Sequence, residues 1–168
     1  AYDVERQRVG GRMEGIAASN AYPCVDGANI IVAGNGDAIY QRFMIAIGRP
    51  DLATNPELQT NAGRWQHRDQ LDAAIAQWSS RLTRGEALKL RGQAGVPCGP
   101  IHTAADICAD EQYKARNMIQ HFDVDTGDAE PHSVGFPGIV PVIGGGRSLP
   151  IRSVGPDLGG HTHGVLAG

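Results

Sequence analysis

No part of this 168-residue sequence is apolar for the roughly 18–20 residues that a membrane-spanning helix needs. Nor does an apolar signal-type segment open it, because Asp3, Glu5, Arg6 and Arg8 interrupt the first residues. An excess of positive charge is missing too. The 15 Lys and Arg are outnumbered by 18 Asp and Glu, and a net charge of −3 offers no bulk attraction to nucleic acid or an anionic membrane. Cysteine is scarce: Cys24, Cys98 and Cys108 are odd in number and form no CxxC pair, which predicts reduced thiols and a cytoplasmic setting. Aromatics make up only 5%, while Gly (23) and Pro (10) are abundant, so many loops are expected around a modest core. No GxSxG nucleophile elbow occurs. The sequence begins at Ala1 without Met, which fits either a removed initiator or a segment of something longer.

Hydrophobic residues at 41% and charged residues at 20% suffice for one domain, or one domain with an arm. Residues 1–20 are polar and Gly-rich (Gly10, Gly11, Gly15) with no clear period, and predict an arm or linker outside the core. Asp26-Gly27 is a turn dipeptide feeding a short apolar run, Ile30 to Ala33, that predicts a buried strand. Asn35 or Asp37 can then cap a helix carrying Ile39, Phe43, Met44 and Ile47, closed by Gly48 with Pro50 just beyond. Residues 51–66 read as loop or short turns. A second helix is predicted from about Arg68 to Arg81, with Leu71, Ala74, Ile75, Trp78 and Leu82 as its apolar stripe. Thr83 and Glu86 have capping-box form ahead of a third helix. The stretch "AGVPCGP" (94–100) ends that helix, since Gly95 can turn left-handed and Pro97 cannot continue it, and leads into an extended crossing. Thr103 and Asp106 repeat the capping pattern, and Asp110 can cap another short helix through Ala115. After Met118 the segments "MIQHFDVD", "PHSVGFPG" and "IVPVIG" predict short antiparallel strands, and Thr162 is a candidate cap near the end. The fold class expected is α+β: short helices packed with a small, mainly antiparallel sheet. The domain reading is an arm or linker remnant at 1–20, a small α+β domain at 21–145 and a return segment at 146–168.

No complete catalytic constellation emerges. His161 and His163 would share a strand face, but no acidic or Cys partner stands at a recognisable spacing, so no metal site is assigned. His67, His102, His121 and His132 are scattered polar residues. Cys98 reads as a small packed thiol rather than a nucleophile, because nothing nearby would lower its pKa. "GGGR" at 144–147 lacks the strand–loop–helix context of a phosphate cradle and reads as a hairpin turn. The loop "AGNGDAIY" at 33–40 leaves a strand and enters a helix. Gly34, Asn35, Gly36 and Asp37 there either let backbone approach a ligand or form a plain capped turn.

Four pieces, in order, resemble the family III CoA-transferases, which include formyl-CoA and carnitine CoA-transferases and α-methylacyl-CoA racemase. They are "AYPCVDGANIIVAGNGDAIYQRFMIAIGRPDL", "NPELQTNAGRWQHRDQLDAAIAQW", "AGVPCGPIHTAADICADEQYKARNMI" and "PDLGGHTHGVL", the last with Gly160 where the family usually has Glu. The resemblance implies a large Rossmann-like domain that binds CoA and carries a catalytic aspartate forming anhydride and thioester intermediates. It implies too a small α+β domain closing over the acyl end, and subunits paired as interlocked rings. This sequence looks like the small domain. Gly36, where the racemase branch tends to carry Glu, makes the transferases the better match. Neither Asp26, in a turn, nor Asp37, read as a cap, is given the nucleophile's role, and no catalytic residue is assigned. The resemblance places Gly34, Asn35, Gly36 and Asp37 near the CoA substrate, with no further cofactor. It implies acyl-CoA or CoA as a weak ligand and a homo-oligomer (a homodimer in its simplest form); the charge balance and the lack of a long apolar run predict no nucleic-acid or membrane partner. Without the large domain no turnover is expected. The alternative is a stand-alone, truncated binding or oligomerisation module.

Overall fold

The computed structural model describes residues 8–141, 150–156 and 158–168. It divides into two compact units, Ala1–Ile101 and His102–Gly168, the division falling inside the 21–145 stretch. The fold is α+β, as expected.

The first unit is built on a three-stranded antiparallel sheet of β1 (Ser19–Pro23), β2 (Asn29–Ala33) and β3 (Cys98–Pro100), in that order. Asp26 and Gly27 (φ +75°) turn β1 into β2 in register Tyr22↔Ile30. Strand alternation sends Ile30 and Val32 into the core and leaves Ile31 half exposed on the opposite face. Helix α1 (Asp37–Ala46) buries Tyr40, Phe43 and Met44 against that core, and ends at Gly48 in the left-handed region (φ +76°). Where loop or short turns were expected, two short helices, α2 (Pro50–Thr54) and α3 (Asn61–Gln66), flank a 3-10 turn at Pro56–Leu58. They are too short for periodicity to reveal, and their starts are set by Pro50, Pro56, and the side chains of Asn55 and Thr60.

Helix α4 (Arg68–Ser79) buries Leu71, Ala74 and Ile75, with Trp78 and Leu82 packed partly against the core and the Trp78 ring edge-on to Phe43 at 6.0 Å. Helix α5 (Arg84–Ala94) carries the full Thr83/Glu86 capping box. Gly95 (φ +62°) closes it left-handed, Val96 enters the core, and β3 pairs with β2. "AGVPCGP" is thus a helix stop that becomes an edge strand.

The segment before β1 departs from the expected arm. Ala17 and Ala18 belong to the buried set, and the Ala17 N–H donates to Asn61 Oδ1 at 3.1 Å. Small residues docking singly leave no periodic trace, so sequence pattern could not place them in the core.

The second unit holds α6 (Ala104–Ala109), with its Thr103/Asp106 capping box, and α7 (Glu111–Ala115), capped by Asp110. Strands β4 (Ile119–Val124) and β5 (His132–Pro137) form an antiparallel pair in which Phe122 and Phe136 meet edge-to-face at 6.0 Å. Ile139 to Pro141 is not strand, contrary to the reading of "IVPVIG"; Val142, Ile143 and "GGGR" lie outside the described residues. Near the end α8 (Thr162–Leu166) does form, but its N-cap is His161 and Thr162 makes no capping bond.

Candidate functional site

Gly34 to Asp37 link β2 to α1, and their geometry is set by one side chain that sequence reading did not single out. The Arg64 side chain on α3 is 0% exposed. Its Nη2 donates to the Asn35 carbonyl and to Asp37 Oδ1, both at 2.7 Å. Its Nε donates to the Ala17 carbonyl and its Nη1 to the Leu58 carbonyl, each at 3.1 Å. The guanidinium carbon lies 4.8 Å from the centre of the Tyr40 ring, a cation–π distance. Burial pushes the Tyr40 hydroxyl up to about 12, with the Arg64 charge acting the other way, and that hydroxyl donates to the Leu52 carbonyl at 3.1 Å.

This corrects the capping expectation. Gly36 is the N-cap, in extended conformation, and no side chain caps α1. Asp37 is the first helical residue, and Arg64 draws its carboxylate away from the capping position. Gly34 has a packing reason for its small size. Its N–H donates to the Ala18 carbonyl at 2.8 Å, and a Cβ there would stand 3.0 Å from Phe43 Cδ1 and 3.2 Å from that carbonyl.

Asn35 borders a cleft of about 400 Å³ on the outer face of the sheet. Its floor is Ile31 and Ala33, and Gly11, Arg12, Met13 and Ile16 form the opposing wall. Arg12 does not offer an unpaired charge, since its Nε donates to Asp72 at 2.5 Å and its Nη2 to Asp69 at 2.6 Å. Asp72 also accepts from the Tyr22 hydroxyl at 2.6 Å and Asn20 Nδ2 at 2.9 Å. Burial, then the Asp72 carboxylate, raises the Tyr22 pKa. Ser19, a further lining residue, has a buried Oγ with no hydrogen-bond partner. A second hollow of about 310 Å³ continues along the sheet over Pro97, Cys98 and Gly99, sharing Ile31 and Ala33.

The remaining candidates are dispersed. Asp26 accepts from the backbone N–H groups of Arg84 and Ala28, chiefly the former, which holds its carboxyl below the usual range. Neither Asp26 nor Asp37 lines the cleft. Cys98 is half-buried in β3; Cys24 is buried, which raises its thiol pKa. His161 and Thr162 help line a hollow of about 380 Å³ against the short, exposed α8. Among the described residues no group of three or more His, Cys, Asp or Glu is placed to hold a metal, and no helix is long and apolar enough to cross a membrane.

The chain's architecture matches a solved CAIB/BAIF family protein from Brucella suis with a TM-score of 0.69 and 27% identity, covering 98% of this chain and 40% of that one. A protein from Mycobacterium tuberculosis, Rv3272, shares the fold alone, at 16% identity and a TM-score of 0.66 over 87% of this chain and 38% of that one. In sequence, the succinyl-CoA–D-citramalate CoA-transferase of Chloroflexus aurantiacus is 33% identical over 162 residues, covering 96% of this chain and 39% of the relative. The acetyl-CoA:oxalate CoA-transferase of Acetobacter aceti is 32% identical over 112 residues, 67% of this chain and 28% of the relative. The profile of CoA-transferase family III matches residues 2–162, and the chain belongs to that family. It spans about two fifths of the length of its long-matching relatives.

Proposed function

We propose that this chain is the small-domain portion of an enzyme that transfers CoA between an acyl-CoA thioester and a free carboxylic acid, and that it has no turnover alone. One observation carries the reading: family membership holds over residues 2–162, yet the chain spans only about two fifths of its transferase relatives. The carboxylate that would carry the acyl group belongs, on this reading, to the other three fifths. Asp26 and Asp37 are poor substitutes. Both are exposed and already hydrogen-bonded, and neither faces the cleft with donors set for an oxyanion.

The chain's own contribution is the Gly34–Asp37 loop and the adjoining cleft, which would meet the thioester end of the substrate. The apolar floor of Ile31 and Ala33 suits an acyl chain better than the phosphates of CoA, which need available cations. The companion proposal is self-association through exposed apolar residues.

The test is a transfer assay with succinyl-CoA as donor and free acetate or oxalate as acceptor, read as the new thioester by mass spectrometry. The purified chain is expected to give no product above background. Transfer well above background, abolished by a point substitution within these 168 residues, would overturn the proposal.

A further inference from the structure

Resting on that reading, we infer that Arg64 is the positioning residue of the candidate loop and that Asn35, which it holds, is the side chain that meets the thioester carbonyl. Three fixed points define the loop. The Gly34 N–H is committed to the Ala18 carbonyl, and Arg64 Nη2 takes both the Asn35 carbonyl and the Asp37 carboxylate. With the backbone on both sides of it tied inward, exposed Asn35 stands at the rim of the cleft. A primary amide brings two N–H donors and no charge. That matches a thioester carbonyl, which is a neutral acceptor. It brings no charge to a phosphate, and the cation in the cleft wall, Arg12, is already taken by Asp69 and Asp72.

A buried arginine tying three segments together would stabilise the fold whether or not the loop meets a ligand. Asp37 separates the two roles. It is 66% exposed and is the one acceptor of the Arg64 set that is a side chain and not a backbone carbonyl. Asp37→Asn removes the charge that anchors the loop while sparing the three bonds to backbone carbonyls. Arg64→Lys is the harsher variant, since a lysine cannot reproduce the fork.

The experiment is amide exchange across Gly34–Ile39, together with amide-shift titrations of the isotope-labelled chain by acetyl-CoA and, separately, by free CoA. Free CoA lacks the thioester carbonyl. In Asp37→Asn, exchange at residues 35–38 is expected to rise several-fold while exchange in α4 is unchanged. In Asn35→Ala, acetyl-CoA is expected to bind about tenfold more weakly, the loss of roughly one hydrogen bond, with free CoA unaffected. Unchanged exchange in Asp37→Asn would overturn the positioning role of Arg64, even if Arg64→Lys fails to fold. Equal acetyl-CoA binding by Asn35→Ala and the parent chain would overturn the role of Asn35. If neither probe shifts any loop amide of the parent chain at millimolar concentration, the assignment of this loop to the thioester falls, and the assignment of Asn35 with it. The exchange data still decide the role of Arg64.

Discussion

At the scale of single residues, the first unit depends on groups whose importance comes from what they touch. Gly63 opens the middle of α3, where its N–H donates to Thr60 Oγ1 and an added Cβ would collide with the Glu57 carbonyl. Backbone cannot step aside cheaply, so Gly63→Ala is expected to destabilise by about 1–3 kcal/mol or more, as overpacking does. Urea unfolding checks this; a midpoint equal to that of the parent chain would refute it. Asp72 is the second case. One carboxylate, 16% exposed, accepts from Arg12, Asn20 and Tyr22 and so ties the segment before β1, and β1 itself, to α4. Asp72→Asn turns an N–H donor toward donors. The expected loss is about 1–3 kcal/mol, seen as a lower urea midpoint with unchanged slope. Tyr22→Phe should cost less, because the carboxylate keeps two partners.

At the scale of elements, a surface carboxylate couples the β1–β2 turn to α5. Asp26 accepts from the Arg84 N–H at 2.9 Å, where the first turn of α5 has uncommitted backbone donors and the positive end of the helix dipole. The bond holds the Asp26 pKa below its usual value. Below that usual value the unfolded chain therefore binds the proton more readily than the folded one. The stabilisation is full above the unfolded pKa of about 4 and is lost as pH falls through the depressed folded value. The Glu86 carboxylate, held down first by the Thr83 N–H, follows the same sign. Melting temperatures of the parent chain and Asp26→Asn should therefore differ by a constant amount above about pH 5 and converge below about pH 4. A gap that is the same at pH 3 and pH 7 would show that the Asp26 charge does not stabilise the junction.

At the scale of the whole molecule, each sheet leaves its outer strands without a further neighbour among the described residues. Apolar surface lies near those edges as well: Ile31, on the outer face of the central strand β2, is 50% exposed and Val140, beyond β5, 66%, with Val134 and Ile139 also in the open. Open strand edges beside apolar side chains favour pairing with another chain, and a twofold dimer is the simplest closed result. Sedimentation at micromolar concentration is expected to detect species larger than the monomer. A clean monomer across a hundredfold dilution series would count against the proposed self-association.

The features legible in the chain alone are local. The α1 and α4 stripes, the Thr83/Glu86 and Thr103/Asp106 boxes, the Asp110 cap, the Gly95 stop and the β4–β5 pair all follow from residues a few positions apart, where spacing is a physical constraint. The family was legible too, because four such pieces stand in the family's order. The candidate loop was legible as a glycine-rich strand-to-helix junction, but its construction was not. The partners that shape it lie far off in the chain: Arg64 is 27 residues from Asp37 and 47 from Ala17, and Arg12 is 60 from Asp72. An arginine in "NAGRW" and two alanines in "GIAASN" carry no sign of burial, since arginine is usually solvated and alanine fits anywhere. Only the tertiary fold brings α3 beneath the loop. It buries the guanidinium, and it thereby makes Arg64, not a side chain of the loop, the group that sets the loop's shape.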